Sequence, residues 1–153
     1  LQLGAADYSH IELEGDEIGT RFSNRAYEGR LEFLHNKIGA FEGAVGAQVS
    51  RSDFAAVGDE AFVPPSVTNN LAVFLYEEIA RERVTWQLGA RVERQEVKPD
   101  AGTGLASRSH TGASLSGGFV WKLDDSWSLA VSVNRSERAP NAQELYADGP
   151  HAG

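Results

Sequence analysis

The feature that most constrains this chain is an alternation of apolar and polar residues with a period of two. It is clearest in residues 86–93, where the apolar positions are Trp86, Leu88, Ala90 and Val92. Successive side chains of a β-strand point to opposite faces of the sheet, so the alternation predicts a strand with one apolar face and one polar face. A helix would instead repeat its apolar positions every three or four residues.

The same alternation recurs along the chain and predicts an all-β fold, an antiparallel up-and-down meander of about seven long strands. Five stretches are clear, and two, at residues 1–12 and 68–79, are weaker. The predicted strands cover residues 1–12, 27–33, 41–50, 68–79, 86–95, 113–122 and 127–134.

The connections between these strands alternate in length. Short turns are predicted at residues 36–40, 80–83 and 123–126, and long polar loops at 13–24, 52–67, 97–109 and 139–153. Alternate connections of a meander lie at the same end of the sheet. The pattern therefore places short turns at one rim and long loops at the other, which is typical of transmembrane β-barrels.

Aromatic residues near strand ends on the apolar side support a membrane location. These residues are Tyr27, Phe41, Trp86, Trp121 and Trp127, and all but Tyr27 border the short-turn rim. Aromatic side chains are enriched at lipid headgroup boundaries. The alternative is a soluble antiparallel sheet with one solvated face, which has the same alternation. Such a sheet needs a second layer over its apolar face, and no segment of this sequence is predicted to supply one.

Composition excludes several other classes. The net charge is −8 and the pI about 4.9, with scattered cations, which disfavours nucleic acid as a partner. No uncharged apolar run is long enough for a transmembrane helix. The sequence has no cysteine, so it offers neither a disulfide nor a thiolate metal site.

A motif near the end of the chain resembles a signature in the barrel of TonB-dependent outer-membrane receptors. Its residues are Arg138, Pro140, Glu144, Leu145, Tyr146, Gly149, Pro150 and His151. In that family a strand ends in R-x-P, and an extracellular loop then begins with E-L-Y-A-x-G-P-H. The stretches 58–64 and 88–93 also resemble the family, and the zinc- and haem-type branch is the most similar.

This resemblance implies a bacterial outer-membrane barrel of 22 strands, closed by a plug domain, that imports zinc, haem or an iron siderophore with energy from TonB. The implied partners are TonB, the plug domain, outer-membrane lipid and the metal or metal-chelate substrate, with no resident cofactor. Seven strands are about a third of such a barrel, and no plug or TonB box is recognisable. We therefore expect residues 1–153 to be a mid-barrel segment.

Two alternatives to this interpretation stay open at the level of sequence. One is an outer-membrane barrel that works without TonB, such as a porin or an adhesin. The other is a soluble β-sheet binding module. Enzymatic activity is not expected, because the four histidines stand singly and no P-loop or nucleophile elbow is present.

One segment contains candidate metal ligands. His10, Glu12 and Glu14 share one face of the first predicted strand, and imidazole with carboxylate is a suitable ligand set for zinc. Residues two apart in a strand are separated by roughly 6.5–7 Å, so they could share one ion only where the strand frays. The alternative is a solvated acidic loop. His151 is a further candidate, and its alternative role is packing within the Gly-Pro-His turn.

A cluster of charges lies where the last strand meets its loop. Its members are Arg135, Glu137, Arg138 and Glu144. These residues could face a plug or a substrate vestibule, or they could form ion pairs that keep the rim in register. We favour the ion pairs.

Overall fold

A computed structural model of the chain describes residues 1–58 and 61–147, without the side chain of Glu14. The described residues form seven strands, a short 3-10 turn and one short helix. The strands are β1 (Gln2–Glu14), β2 (Glu17–Ile38), β3 (Phe41–Gly58), β4 (Ser66–Arg81), β5 (Val84–Pro99), β6 (Arg108–Lys122) and β7 (Ser128–Arg135). The 3-10 turn is Ala101–Thr103 and the helix, α1, is Ala142–Tyr146. The predicted all-β fold with seven strands is confirmed.

All seven strands belong to one antiparallel sheet in the order β1-β2-β3-β4-β5-β6-β7. Each strand pairs with its neighbours in sequence, so among the described strands β1 and β7 have one partner each. The predicted meander is therefore confirmed. Neither helical segment in the described part of the chain has the length and apolar character to cross a bilayer.

The register gives the sheet two chemically different faces. Directly opposed residues of antiparallel strands point to the same side. Val45 lies opposite Phe33 on β2 and Leu75 on β4, which defines the apolar face. Gln48 lies opposite Arg30 on β2 and defines the polar face.

Burial on these two faces is the reverse of that in a soluble sheet. The large apolar side chains on the apolar face are exposed, for example Phe33 at 62% and Leu88 at 47%. The buried residues of the described chain lie on the polar face, apart from one in a loop: Thr20, Ala44, Ala56, Ser66, Ala72, Val97 and, from the loop, Val63. An exposed apolar surface this extensive is rare on soluble monomers and indicates an apolar surrounding.

The long connection predicted at 13–24 is wrong. Gly15 and Asp16 alone join β1 to β2, and Gly15 has the positive φ of 64° that a tight turn requires. Residues 17–24 belong to β2, which has 22 residues. The alternation fails as a strand signal here because both faces of this part of β2 carry polar residues, such as Arg21 and Asn24.

The other two long connections between strands are shorter than predicted. β3 continues to Gly58 and β5 continues to Pro99, so the connecting segments are 59–65 and 100–107. The strict alternation of short and long connections therefore does not hold: the rim opposite the short turns carries the two longer connections, 59–65 and 100–107, and also the two-residue turn between β1 and β2.

The strands extend past the apolar region into a polar one on both faces. On the side continuous with the apolar face, Arg25 contacts Asp7 at 3.0 Å and Arg51 contacts Asp53 at 2.9 Å. Tyr27, predicted near a strand end, lies within β2 opposite Arg51. It therefore marks the boundary of the apolar region and not the end of the strand.

The short-turn rim has the predicted aromatic border. The turns are Gly39–Ala40, Glu82–Arg83 and residues 123–127. The Trp86 and Phe119 rings lie 5.4 Å apart on the apolar face, and Trp127 in the last turn is 70% exposed. Aromatic rings exposed at one level suit a headgroup boundary.

Candidate functional site

The middle of the polar face is a hydrogen-bonded network across β2, β3 and β5. The side-chain amide of Gln48 donates to Glu28 Oε1 at 2.9 Å and accepts from Arg91 Nη1 at 3.1 Å. Arg91 also pairs with Glu93. Because each side chain holds the next, the network links β2, β3 and β5 across the intervening β4.

Arg30 extends this network toward β4. Its guanidinium pairs with Glu32 at 2.7 Å and lies 4.1 Å from the centre of the Phe74 ring. Gly46 makes this possible, since a Cβ there would lie 2.3 Å from Phe74 Cζ. The absence of a side chain at Gly46 lets the ring cross β3 and form a cation–π contact with Arg30.

A second group of polar side chains lies nearer the short-turn rim. The Tyr76 hydroxyl donates to Glu78 Oε1, and Gln87 Nε2 donates to the same oxygen at 2.8 Å. A hydroxyl and an amide thus hold the Glu78 carboxylate. Alternation in the sequence predicted the polar face only for Gln87, and its pairing with Glu78 depends on the register between β4 and β5.

At the opposite rim, residues 138–147 fold back over the polar face, and we call this segment the strap. Arg138 donates to both carboxylate oxygens of Glu144, each at 2.7 Å. Asn141 and Glu144 form a capping box at the start of α1: the Glu144 amide donates to Asn141 Oδ1, and the Asn141 amide donates to Glu144 Oε2, both at 2.8 Å.

These contacts set the charge state of the strap. The Arg138 guanidinium, aided by the Asn141 amide, lowers the pKa of Glu144 from 4.5 to about 2. The Glu144 carboxylate in turn raises the pKa of Arg138. Both side chains are substantially exposed, so solvent screens the pair. The strap therefore keeps its ion pair throughout the neutral range.

The strap is bound to the wall at two points. Gln95 Nε2 donates to the Pro140 carbonyl at 2.6 Å. The Tyr146 hydroxyl donates to the Ala106 carbonyl at 2.9 Å and lies 3.4 Å from the Val97 carbonyl. Val97 is fully buried, and burial also raises the pKa of Tyr146.

Most of the motif near the chain end thus has a structural role in the strap. Arg138, Pro140, Glu144 and Tyr146 make the contacts above, and the Leu145 amide donates to the Asn141 carbonyl at 3.1 Å. The remaining motif residues lie outside the described residues: Gly149, Pro150 and His151.

Under the strap lies a cavity of about 330 Å³, which we call the strap cavity. Its walls come from the polar face of β2, β3 and β4, from the segment 61–65 and from the start of α1. The lining residues are Phe22, Phe54, Ala56, Phe62, Val63, Thr68, Asn141, Ala142 and Gln143. None of these nine side chains is ionisable. Sequence reasoning missed this cavity because its residues come from five different elements.

The structure brings two of the four candidate metal ligands together. His10 and Glu12 lie on the polar face of β1, with His10 Nε2 3.8 Å from Glu12 Oε1. The His10 ring also stacks on Phe22, with centres 4.5 Å apart and planes 4° apart. The Glu14 side chain and His151 lie outside the described part. Among the side chains that are described, no group of three His, Cys, Asp or Glu residues is arranged to hold a metal.

The charge cluster divides into two separate ion pairs. Arg135 contacts Glu137 at 2.6 Å, whereas Arg138 contacts Glu144. Glu137 Oε2 also accepts from the Ala113 amide at 3.0 Å. Glu137 thereby continues the contact between β6 and the chain after β7, through a hydrogen bond to the backbone and not through an ion pair between strands.

One ionisable pair on the apolar face was not predicted. His35 Nε2 lies 2.9 Å from Glu77 Oε1, and the two residues are 42 positions apart in sequence. They meet across Gly43 of the intervening strand, where a Cβ would lie 2.9 Å from Glu77 Oε2 and 2.0 Å from the Tyr76 carbonyl oxygen. The sequence does not reveal this pair, because only the strand register shows that Gly43 lies between His35 and Glu77.

Comparison with protein families decides which class of sheet this is. Residues 4–153 match the family model for the TonB dependent receptor-like β-barrel. The chain belongs to this family. Its members are bacterial outer-membrane transporters that work with TonB and a plug domain, and they are not enzymes. The match decides against both the porin or adhesin alternative and the soluble binding module.

Membership of this family indicates which environment surrounds each face and each rim of the sheet. The apolar face is the lipid-facing side and the polar face lines the barrel interior. Barrels of this kind have short periplasmic turns and longer extracellular loops, so the strap and the strap cavity belong to the extracellular rim. The candidate site is therefore the extracellular end of the polar face.

Proposed function

We propose that this protein imports a metal ion or metal chelate across the outer membrane, with zinc, haem or an iron siderophore as the substrate class and TonB as the energy source. The observation that carries the substrate class is the His10–Glu12 pair on the interior wall near the extracellular rim. Family membership supports transport.

The chemistry of this pair suits a transient metal contact. An imidazole nitrogen and a carboxylate oxygen are ligands for zinc and other borderline divalent ions. His10 and Glu12 lie within β1 and not at a frayed end, but their side chains lean toward each other: the two atoms are 3.8 Å apart and need only small rotations to reach one ion. Glu14, near the β1–β2 turn, and His151 are proposed as further ligands. The net charge of −8 also favours the approach of cations.

We also propose that the seven strands are part of a larger closed barrel of 22 strands that surrounds a plug domain. The one-sided pairing of β1 and β7 among the described strands supports further neighbours at both edges. The polar network around Gln48 and Arg91 supplies a hydrated interior wall for a plug.

Two measurements on the natural full-length receptor test these proposals separately. The first compares uptake of radiolabelled zinc, haem and iron chelates by cells with and without TonB. We expect one substrate to enter only when TonB is present. Uptake that is the same in both strains would contradict TonB-driven transport.

The second measurement is calorimetric titration of the purified receptor with Zn²⁺. We expect His10→Ala and Glu12→Ala each to weaken binding about tenfold or more, since each removes one ligand. His110→Ala is the matched control, because His110 lies on the polar face of β6, away from this pair. Unchanged affinity in the first two variants would remove the zinc site and leave the transport proposal intact.

A further inference from the structure

We propose that the strap cavity binds an uncharged aromatic ring, presented as one group of a larger ligand that occupies the barrel interior. The description of that ligand as imported cargo rests on the function proposed above. The binding of a ring in the cavity does not, because it follows from the cavity's own chemistry.

The lining chemistry selects a neutral, planar group. Three phenyl rings, from Phe22, Phe54 and Phe62, contribute to a cavity without an ionisable side chain. Aromatic rings prefer offset-stacked or edge-to-face contacts with other rings, which adds to the free energy of apolar burial. A charged group would lose its hydration there without gaining a counterion. The polar network in the middle of the same face has the opposite character.

The size of the cavity selects a part of a ligand and not the whole. Its volume of about 330 Å³ lies at the lower end of the range for small-molecule sites. It can hold a single substituted ring, whereas a complete metal chelate with several such groups would extend beyond it. Phe22 both lines the cavity and stacks on His10, so a ligand that leaves the cavity along Phe22 passes the proposed metal contact.

The cavity is preformed by elements that are fixed to one another. Ala56 and Val63, from its floor and its loop wall, are 5% and 6% exposed. The wall made by Asn141, Ala142 and Gln143 belongs to the strap, which the Gln95–Pro140 hydrogen bond and the Arg138–Glu144 pair hold in place. A preformed site loses little conformational entropy when a ligand binds.

The test uses cysteine protection in the full-length receptor, since residues 1–153 contain no cysteine. Ala142 is half-buried in the cavity wall, and Ala142→Cys places a thiol there. Ala101→Cys, in the exposed 3-10 turn, is the matched control for detergent and solvent effects. The unsubstituted receptor serves as a blank, and the rate of maleimide labelling is measured with increasing benzamide, a neutral substituted ring.

We expect benzamide to slow labelling of the Ala142→Cys variant at least about threefold, with a saturating dependence on concentration, as mass action at one site requires. Labelling of the Ala101→Cys variant stays constant. Cyclohexanecarboxamide, which has the same amide on a non-planar ring, and benzoate, which is charged, protect less. Adding Phe54→Ala to Ala142→Cys abolishes the protection.

Three results would overturn the proposal: no slowing at any concentration, equal slowing in both cysteine variants, or slowing that Phe54→Ala leaves unchanged. The second would show partitioning into detergent, and the third would place the ring elsewhere. If Phe54→Ala fails to give a heat-modifiable folded barrel on gels, Phe54→Leu replaces it, because it retains most of the side-chain volume but not the ring. Labelling does not require transport, so this outcome is independent of the uptake measurements.

Discussion

Ala72 and Val73 are neighbours in β4, yet they have opposite surroundings. Ala72, on the polar face, is 2% exposed, whereas Val73, on the apolar face, is 55% exposed. Longer side chains such as Gln48 and Phe74 cover the small residues of the polar face, while nothing within the described chain covers the apolar face. In a soluble sheet the larger apolar residue would be the buried one. The alternation therefore places apolar residues against lipid on one face and polar residues against a hydrated interior on the other.

A charge placed on one face and then on the other should give the largest difference in the free energy of unfolding. Val73→Arg places a guanidinium in the lipid region and should lower the free energy of unfolding by about 2–4 kcal/mol, as charged residues do near the middle of a bilayer. Ser132→Arg, on the exposed polar face of β7, is the control and should change stability by less than about 1 kcal/mol. Reversible urea unfolding in lipid vesicles measures both. Equal losses would contradict the assignment of the faces.

Glycines on the two faces provide a sharper version of the same test. Gly46→Ala on the polar face forces the Phe74 ring away from Arg30 and should cost about 1–3 kcal/mol through overpacking. Gly29 lies on the apolar face, where an added Cβ would meet Leu3 and Val49 at an ordinary 3.5 Å. Gly29→Ala should therefore remain within about 0.5 kcal/mol of the natural protein in the same unfolding assay. A reversed order would show that the polar-face network is not tightly packed.

The His35–Glu77 pair tests what the apolar face tolerates. Glu77→Ala leaves the imidazole without its carboxylate partner at the lipid side and should lower the unfolding midpoint. The double variant His35→Leu, Glu77→Leu removes both polar groups and should recover most of that loss, since lipid accepts two apolar side chains. A double variant less stable than Glu77→Ala alone would mean that the pair contributes directly to the stability of the barrel.

The smallest expected effect is in the strap, outside the membrane. Glu144 has a pKa lowered to about 2 in the folded protein, so its stabilising contribution is present above the ordinary value of 4.5 and is lost as the pH falls through 2. Carbon-13 titration of the Glu144 carboxyl should show this low midpoint, and Arg138→Ala should move it upward. A midpoint near 4.5 in the natural protein would contradict the bidentate contact.

Sequence reasoning predicted the part of the fold that depends on local alternation. The number of strands, their order, the two faces and the three short turns all follow from a period of two interrupted by turn residues. The turn at Gly15–Asp16 could not be predicted in this way, because both faces of β2 are polar beyond the lipid region and the alternation disappears there.

The candidate site was much less predictable than the fold. His10 and Glu12 share a face because they are two residues apart in one strand, and the sequence alone implies that. The strap cavity, by contrast, joins Phe22, Phe54, Val63 and Ala142, whose proximity depends on register and on the path of the chain after β7. The sequence predicted ion pairs within the cluster that contains Arg138 and Glu144, but which residues pair depends on the path of the chain after β7.

Spin-label accessibility shows whether the apolar face contacts lipid while the polar face lines a hydrated interior. Val73→Cys and Gln48→Cys variants of the receptor are spin-labelled in lipid vesicles, and relaxation is measured with oxygen and with a water-soluble nickel chelate. We expect the label at position 73 to be relaxed mainly by oxygen and the label at position 48 mainly by nickel. Equal relaxation of both labels by nickel would contradict this expectation.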